Sequence, residues 1–303
     1  MSDLRDLCGC GTALVTPFLS KGEIDEAGMR RLVAHQLQEG VDFLVPCGTT
    51  GESPTLGDDE CSHVISLVIE EAKGRIPIIA GAGGNCTNKV VKLIQAIQPL
   101  KVDGILSVSP YYNKPTQEGL YQHYRAIAES TDLPIILYNV PGRTSSNIAP
   151  ETILRLSEIQ NIIGIKEASG DLTQVSEIIR TAEPPFRVFS GDDALTLPMI
   201  SIGSVGVISV TANEAPGPMS KLVRLALENQ WDEACVLHAH LLPLMQANFF
   251  ESSPIPVKAA LAMMGFIKEF YRLPLVPIQT ENRDRLREVL YDLSLLKREK
   301  APA

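Results

Sequence analysis

Short apolar runs alternate along most of the chain with longer segments in which apolar residues recur every three to four positions. The runs have the length of buried strands, and the longer segments have the periodicity of helices with one buried face. The predicted strands are residues 11–18, 41–47, 76–80, 104–108, 134–138, 162–166, 187–190 and 206–210. The predicted helices are residues 25–39, 64–72, 89–97, 118–129, 151–157, 172–181, 194–200 and 219–228.

Strict alternation of strands and helices favours parallel strands, because each helix returns the chain to the edge at which the next strand begins. Eight such units within residues 1–228 match the size of a closed (β/α)8 barrel. The predicted fold class is therefore α/β, a TIM barrel. The alternative is an open, doubly wound sheet, which usually has a glycine-rich phosphate turn after its first strand. Residues 12–18 contain no such turn.

The last part of the chain contains no strand-like run. Its pattern predicts helices at residues 231–248, 256–264 and 281–297, with a proline-broken connector at residues 273–277. We therefore predict two units, a (β/α)8 barrel over residues 1–228 and a C-terminal helical appendage over residues 229–303.

Charge and cysteine usage narrow the classes of function. The formal net charge of −9 argues against a nucleic-acid-binding surface, and no apolar stretch could cross a bilayer without including a charge or a proline. The amino terminus lacks the basic segment and apolar core of a signal peptide. The six cysteines form no C-x-x-C pair, which is typical of reduced thiols. We expect a cytoplasmic protein that binds neither nucleic acid nor membrane.

One charged residue ends the apolar run of the sixth predicted strand. Lys166 follows N-I-I-G-I and precedes Glu167, so its ammonium would lie on a strand that is buried on both faces. Burial disfavours the charged form of an amine and lowers its pKa, which makes the amine nucleophilic. Lys166 is therefore the candidate nucleophile of a Schiff-base enzyme. The alternative is a lysine that snorkels or pairs with a carboxylate for structural reasons only.

The active site of such a barrel lies at the carboxyl ends of its strands, so the residues that follow each strand are the next candidates. Residues 48–53, G-T-T-G-E-S, offer backbone N–H groups and the hydroxyls of Thr49 and Thr50, which could bind a carboxylate. The alternative is an ordinary turn whose hydroxyl caps the next helix.

Two other turns resemble cofactor or metal sites only in part. Residues 81–85 are glycine-rich, but Cys86 stands where a dinucleotide-binding loop would have its last glycine. Asp192 and Asp193 could hold a divalent metal, although acidic residues are also typical of the first turn of a helix. No convergent set of histidine, aspartate and cysteine completes a metal site, so no metal is predicted.

Phenols and a guanidinium lie at two further strand ends. Tyr111 and Tyr112 follow the fourth strand, whereas Tyr138 and Arg143 lie at the end of the fifth. An amine can attack a ketone while a phenol moves protons through the carbinolamine, imine and enamine stages. A guanidinium can bind a carboxylate through two parallel hydrogen bonds. These residues predict an enzyme that acts on keto acids. The alternative from another class is a barrel that binds a keto acid without converting it.

Six segments, each at a predicted strand end, resemble the dihydrodipicolinate synthase family, the 4-hydroxy-tetrahydrodipicolinate synthases, of the N-acetylneuraminate lyase superfamily. The resemblance extends from residue 11 to about residue 278. The segments are G-T-T-G-E-S at 48–53, S-P-Y-Y-N-K-P at 109–115, Y-N-V-P-G-R-T at 138–144, G-I-K-E-A at 164–168, S-G-D-D at 190–193 and G-V-I-S-V-T-A-N at 206–213.

The resemblance implies a condensation of pyruvate with L-aspartate 4-semialdehyde, the entry step of lysine and diaminopimelate biosynthesis. Lys166 would form a covalent Schiff base with pyruvate, so that no separate cofactor is needed. Tyr138 would donate and accept protons in a relay with Thr50 and Tyr112.

The resemblance also implies how the substrates are held. Thr49 and Thr50 would bind the carboxylate of pyruvate, and Arg143 would bind the carboxylate of the semialdehyde. Gly191 and Ile208 would contribute main-chain contacts near the lysine.

Assembly and specificity follow from the same resemblance. The family is typically a homotetramer, a dimer of dimers, in which the tyrosine at the position of Tyr112 reaches the site of a neighbouring subunit. N-acetylneuraminate lyase and 2-keto-3-deoxy sugar acid aldolases share the lysine and the tyrosine but take longer polyhydroxylated acceptors, and they are the alternatives. The Y-Y-N-K-P and P-G-R-T segments favour the synthase.

One departure from the family pattern concerns regulation. Lysine-regulated synthases carry a histidine or glutamate set after the G-T-T-G-E-S turn and on the next helix, where this chain has Asp58, Cys61 and Lys89. Lys89 replaces an acid that would pair with the ammonium of the effector, and like charges repel. We expect free lysine to inhibit this enzyme weakly or not at all.

Overall fold

Eight parallel strands form the centre of the structure, a computed structural model that describes residues 4–298. The strands are β1 (Gly9–Ala13), β2 (Phe43–Val45), β3 (Ile79–Gly81), β4 (Gly104–Val108), β5 (Ile135–Asn139), β6 (Ile162–Glu167), β7 (Arg187–Ser190) and β8 (Gly206–Ser209). Their order is β2-β1-β8-β7-β6-β5-β4-β3. A parallel bridge between Leu44 and Ile78 joins the two ends of this order and closes the barrel. The predicted (β/α)8 barrel is confirmed.

Helices follow the strands and form the outer layer. They are α1 (Glu26–Glu39), α2 (Asp58–Ala72), α3 (Thr87–Ile97), α4 (Gln117–Ala128), α5 (Pro141–Thr144), α6 (Pro150–Ser157), α7 (Leu172–Thr181), α8 (Thr196–Ser201), α9 (Pro216–Leu227), α10 (Trp231–Ala247), α11 (Ile255–Met263) and α12 (Thr280–Asp292). The single turn of α5 was not predicted, because four residues are too few to show a helical period.

The first strand lies earlier in the chain than predicted. The apolar run at residues 11–18 suggested a strand there, whereas β1 covers Gly9–Ala13. Leu14, one residue beyond β1, is only 1% exposed and its amide still donates to the Val45 carbonyl at 3.0 Å, so the apolar run marked burial that continues past the end of the strand. A side chain at Gly11 would overlap the ring of Phe43. The strand therefore begins with small residues that no apolar pattern marks.

Inward-facing side chains fill the barrel. Phe43, Phe189 and Ile208 belong to one buried cluster that also contains Tyr138. The rings of Phe43 and Phe189 meet edge to face, with centroids 5.6 Å apart. This packed interior closes the barrel below the strand ends, so the chemistry is confined to the carboxyl-terminal rim.

The C-terminal helices share a core with the seam of the barrel. One buried cluster joins Cys10 of β1 and Val207 of β8 to Met219 of α9, Leu244 of α10 and Leu286 of α12. The three predicted C-terminal helices are confirmed, although α12 ends at Asp292 rather than at residue 297. The division into units 1–228 and 229–303 stays a prediction, and its residues 1–3 and 299–303 lie outside the described part of the chain.

Candidate active site

Lys166 lies at the carboxyl-terminal end of β6, next to Tyr138 of β5. The two residues are Cα partners in the parallel pairing of these strands. Their side chains are buried, at 4% and 7% exposure, and the Lys166 nitrogen lies 4.6 Å from the centroid of the Tyr138 ring. The strand register therefore places an amine against a phenol.

The surroundings of Lys166 favour the neutral amine. Burial lowers the pKa of Lys166 to about 8. The carboxylates of Asp193 and Asp192 oppose this shift, whereas the guanidinium of Arg143 adds to it. At neutral pH about a tenth of the amine is then uncharged, far more than in an ordinary lysine, and the neutral form is the one that nucleophilic attack requires.

Tyr138 interacts with Thr49 of the 48–53 turn. Burial raises the pKa of the Tyr138 phenol, and the charge of Arg143 and a hydrogen bond with the Thr49 side chain oppose that rise. The family resemblance implies a relay through Thr50, whereas the interaction seen at the phenol is with Thr49. Thr50 is buried, at 5% exposure, and its part in the relay stays a prediction.

The 48–53 turn is built for more than connecting β2 to α2. Its backbone closes through Gly51 N–H donating to the Gly48 carbonyl, at 3.0 Å, while the Thr16 hydroxyl donates to the Gly51 carbonyl at 2.7 Å. Helix α2 is capped at Gly57, which has no side chain. Neither threonine therefore serves as the helix cap that the alternative interpretation required.

Gly191 lies directly against the side chain of Lys166. A Cβ atom at Gly191 would lie 2.6 Å from the Cβ of Ala168 and 3.1 Å from the Cε of Lys166. Only a glycine leaves the space that the lysine stem occupies. Ile208 is fully buried on β8.

The two aspartates after β7 have different roles. Asp192 accepts a hydrogen bond from the Ala194 amide at 2.9 Å and caps the 3-10 turn Asp193–Leu195 that leads into α8, in line with the predicted role at a helix start. Asp193, 2% exposed, instead accepts from the Val210 amide and from the amide and hydroxyl of Thr211, at 3.1, 2.8 and 2.8 Å. Its other carboxylate oxygen is buried without a hydrogen-bond partner. Sequence reasoning missed this orientation because it depends on the end of β8.

Arg143 and Tyr112 lie at the rim. Arg143 is exposed on α5, and its Nη2 donates to the Ser253 carbonyl at 3.4 Å. Tyr112 is 89% exposed, with a backbone φ of 73°, and the Asn113 amide donates to the Tyr111 carbonyl across it at 2.9 Å. Arg143 and Gly191 lie near Lys166, Thr49 and Arg143 interact with Tyr138, and Tyr112 faces outward. The site roles of Thr50 and Ile208 stay predictions.

A second buried lysine was not predicted. Lys258 of α11 pairs with Glu52, the residue that follows T-T-G in the 48–53 turn, and both side chains are 0% exposed. The signal was present in the sequence, because Lys258 interrupts the apolar segment I-P-V-K-A-A-L in the same way that Lys166 interrupts its strand.

Residues 4–298 contain neither a cluster of metal ligands nor a helix that could span a membrane. No group of three or more histidine, cysteine, aspartate or glutamate side chains in this range could hold a metal ion. None of the helices in the same range combines the length and the apolar character that crossing a membrane requires.

Comparison with known proteins adds to this geometry. The profile of the dihydrodipicolinate synthetase family matches residues 6–293. The chain is 54% identical over 292 residues to a 4-hydroxy-tetrahydrodipicolinate synthase of Koribacter versatilis. The matched region covers 96% of this chain and 97% of the relative. The solved structure of the chloride-inhibited dihydrodipicolinate synthase of Acinetobacter baumannii, complexed with pyruvate, has a TM-score of 0.94 at 44% identity and covers 95% of this chain and 99% of that chain. A monomeric dihydrodipicolinate synthase variant has a TM-score of 0.95 at 47% identity and covers 97% and 99% of the two chains.

Proposed function

The chain belongs to the dihydrodipicolinate synthetase family, and on that premise we propose that Lys166 condenses with pyruvate while Tyr138 moves the protons of the reaction. The protein is an enzyme with the activity of a 4-hydroxy-tetrahydrodipicolinate synthase, which uses pyruvate in lysine biosynthesis. The predicted family and activity are confirmed. The sugar-acid aldolases and the non-catalytic keto-acid binder are therefore set aside.

The chemistry begins at the uncharged amine of Lys166. Its lone pair attacks the ketone carbon of pyruvate, and the carbinolamine loses water to give an iminium. Loss of a proton from the methyl carbon gives the enamine, whose carbon attacks the aldehyde of L-aspartate 4-semialdehyde. Cyclisation then releases the heterocycle and returns the free lysine. The observation that carries this proposal is the nearly buried amine 4.6 Å from the centroid of the Tyr138 ring.

Tyr138 serves the steps that need a proton donor or acceptor. The phenol keeps its proton in the free enzyme because burial raises its pKa. Thr49, which hydrogen-bonds to it, offers an exit for that proton towards the turn. A positioned acid–base group of this kind contributes about a hundred- to ten-thousandfold to the rate.

Carboxylate recognition divides between two places. The 48–53 turn offers backbone amides and the hydroxyls of Thr49 and Thr50 to the carboxylate of pyruvate, with Gly191 and Ile208 close to the Schiff base. Arg143, exposed at the rim, binds the carboxylate of the second substrate, where its planar donors favour a bidentate contact.

Tyr112 completes the relay only if the protein assembles. An exposed aromatic residue with a positive φ is costly for a single subunit, and strained residues of this kind cluster at functional sites. The loop is held in place by Asn85, whose side chain donates to the Tyr111 carbonyl at 3.2 Å. We place Tyr112 in the site of a neighbouring subunit within a homotetramer, a dimer of dimers. The free state of all six cysteines supports a cytoplasmic location.

Borohydride trapping tests the proposal. Incubation with pyruvate and borohydride should add one reduced pyruvyl group at Lys166, located by peptide mapping. Lys258, the other buried lysine with a lowered pKa, is the internal control and should stay unmodified. Absence of an adduct, or an adduct elsewhere in the wild-type protein, contradicts the proposed role of Lys166. Assay of the same preparation with L-aspartate 4-semialdehyde and with sugar-derived acceptors then tests the second substrate.

A further inference from the structure

The C-terminal helices reach the 48–53 turn through the ion pair of Lys258 and Glu52. Both side chains are 0% exposed, and the Lys258 nitrogen also lies 4.4 Å from the centroid of the Phe18 ring and 5.3 Å from that of Tyr271. The amine is thus enclosed by one carboxylate and two aromatic faces. It lies outside the Lys166 site, and its carboxylate partner Glu52 is part of that site's turn.

Glu52 holds the end of the turn in an unusual conformation. Its φ is 55°, in the left-handed region that residues with a side chain rarely adopt, and its amide donates to the Thr49 carbonyl at 3.1 Å. The carboxylate is gripped from the other side by Lys258 and by the backbone amide of Arg272 at 3.4 Å. Because the Glu52 amide is hydrogen-bonded to the Thr49 carbonyl, a displacement of the Glu52 carboxylate would also displace Thr49.

Arg272 secures the same region from the connector before α12. Its guanidinium donates to the carbonyls of Thr55 and Gly22, each at 2.7 Å, and to Glu60 at 2.7 Å. The hydrogen bond from Arg272 lowers the pKa of Glu60 to about 2, so this pair stays charged at any working pH.

The start of α11 also touches the second carboxylate site. Arg143 donates to the carbonyl of Ser253, and the Tyr271 hydroxyl donates to the carbonyl of Ile255 at 3.0 Å. Residues 253–258 thus lie between the 48–53 turn and the arginine at the rim.

We infer that Lys258 is a positioning residue for the reaction: through Glu52 it fixes the 48–53 turn in the conformation that binds the carboxylate of pyruvate. The inference rests on the proposed function of that turn. Two apolar residues of similar volume would fill a buried space at least as stably as an ion pair, because the pair must first be desolvated. The ion pair instead holds the Glu52 carboxylate in one position, which two apolar side chains would not do.

The test removes both charges together, because a single substitution would leave a buried charge without its partner. The variant Glu52→Gln/Lys258→Met should keep the thermal midpoint and the oligomeric state of the wild type. Its KM for pyruvate should rise about tenfold or more, since small displacements of a binding group have effects of up to about a hundredfold. The KM for the semialdehyde should change little, and saturating pyruvate should still give the borohydride adduct on Lys166.

The control is Glu118→Gln/Arg155→Met, which removes an ion pair that joins α4 to α6 rather than the turn to α11. It should leave the KM for pyruvate unchanged. If the Glu52/Lys258 double variant does not fold, the KM for pyruvate of Glu52→Asp is measured instead. This substitution keeps the charge and shortens the side chain by one methylene group. An unchanged KM for pyruvate in a folded Glu52/Lys258 variant, or in Glu52→Asp, overturns the inference. Failure of trapping in the wild type overturns the proposed function instead, so the two are distinguished.

Discussion

Tyr138 and Lys166 are neighbours by strand register, with the Lys166 nitrogen 4.6 Å from the centre of the Tyr138 ring. Because adjacent parallel strands hold their side chains in fixed layers, the amine and the phenol meet without help from a flexible loop. The two groups that perform the chemistry are thus anchored on the most rigid part of the fold.

The first prediction concerns pH. Adduct formation with pyruvate needs the neutral amine, so its rate should rise with pH and level off above the pKa of Lys166, about 8. Asp193→Asn removes a carboxylate that raises this pKa, and should therefore move the midpoint to lower pH. Trapping rates measured across the range give both midpoints. A midpoint near the ordinary lysine value of about 10.4, in either protein, contradicts the assignment.

The second prediction isolates the phenol. Tyr138→Phe keeps the ring that packs on Lys166 and removes only the hydroxyl, so kcat should fall about a hundred- to ten-thousandfold with little change in thermal midpoint. Tyr124→Phe is the matched control, because Tyr124 is another buried tyrosine, whose hydroxyl donates to the Ser107 carbonyl. The control should lose about 1 kcal/mol of stability and keep its kcat. Equal kcat values for the two variants would falsify the role of Tyr138.

A third prediction separates the two threonines. The Tyr138 phenol hydrogen-bonds with Thr49, so Thr49→Val should lower kcat more than Thr50→Val does. Thr50→Val should act chiefly on the KM for pyruvate, because its hydroxyl is proposed to bind the carboxylate. Steady-state kinetics of the two isosteric variants checks this. The reverse order of effects on kcat would return Thr50 to the relay that the sequence analysis proposed.

The fourth prediction tests whether Tyr112 acts across an interface. Tyr112→Phe and Lys166→Met subunits should each be nearly inactive alone. Mixed assemblies should recover activity in roughly a quarter of the sites, because a Tyr112→Phe subunit can receive the intact tyrosine of its partner. Co-expression with two affinity tags isolates the mixed species. Activity no greater than the sum of the parents, or a monomeric wild type in analytical ultracentrifugation, contradicts this assignment.

The fifth prediction concerns feedback by lysine. Cys61 is buried against Cys47, and the cation of Lys89 is exposed on the first turn of α3, where it would repel the ammonium of an effector. Initial rates should therefore stay nearly constant across a titration with free lysine. Inhibition at micromolar lysine would refute this expectation. Lys89→Glu, which restores an acid at that position, should be the more sensitive of the two proteins.

The sequence predicted which residues lie at the strand ends better than it predicted the directions of their side chains. The barrel, its C-terminal helices and the position of Lys166 follow from alternating periodicities and one charge in an apolar run. The interaction of Thr49 with Tyr138 lies in a turn in which Cys47 and Glu52 have left-handed backbones, and no residue type in the sequence indicates those conformations. Tyr112 lies in a loop, which has no periodic pattern, so its outward direction could not be predicted from the sequence.

Lys258 was missed for a different reason. Its signal in the sequence equals that of Lys166, but its partner Glu52 is 206 residues away, and only the folded chain brings them together. Whether a buried lysine acts as a nucleophile or stabilises a neighbouring segment therefore depends on a partner that is distant in the sequence.

The seam between β1 and β8 has a consequence for how the protein is made. The Val15 amide donates to the side chain of Asn213, 198 residues later, so the ring of strands cannot be joined until most of the polypeptide has left the ribosome. The helices that come after it then cover this junction with the same apolar cluster that contains Cys10 and Val207. In a nascent chain that stops before α10, this apolar surface would be exposed to water, and we expect chaperones to bind it until synthesis is complete.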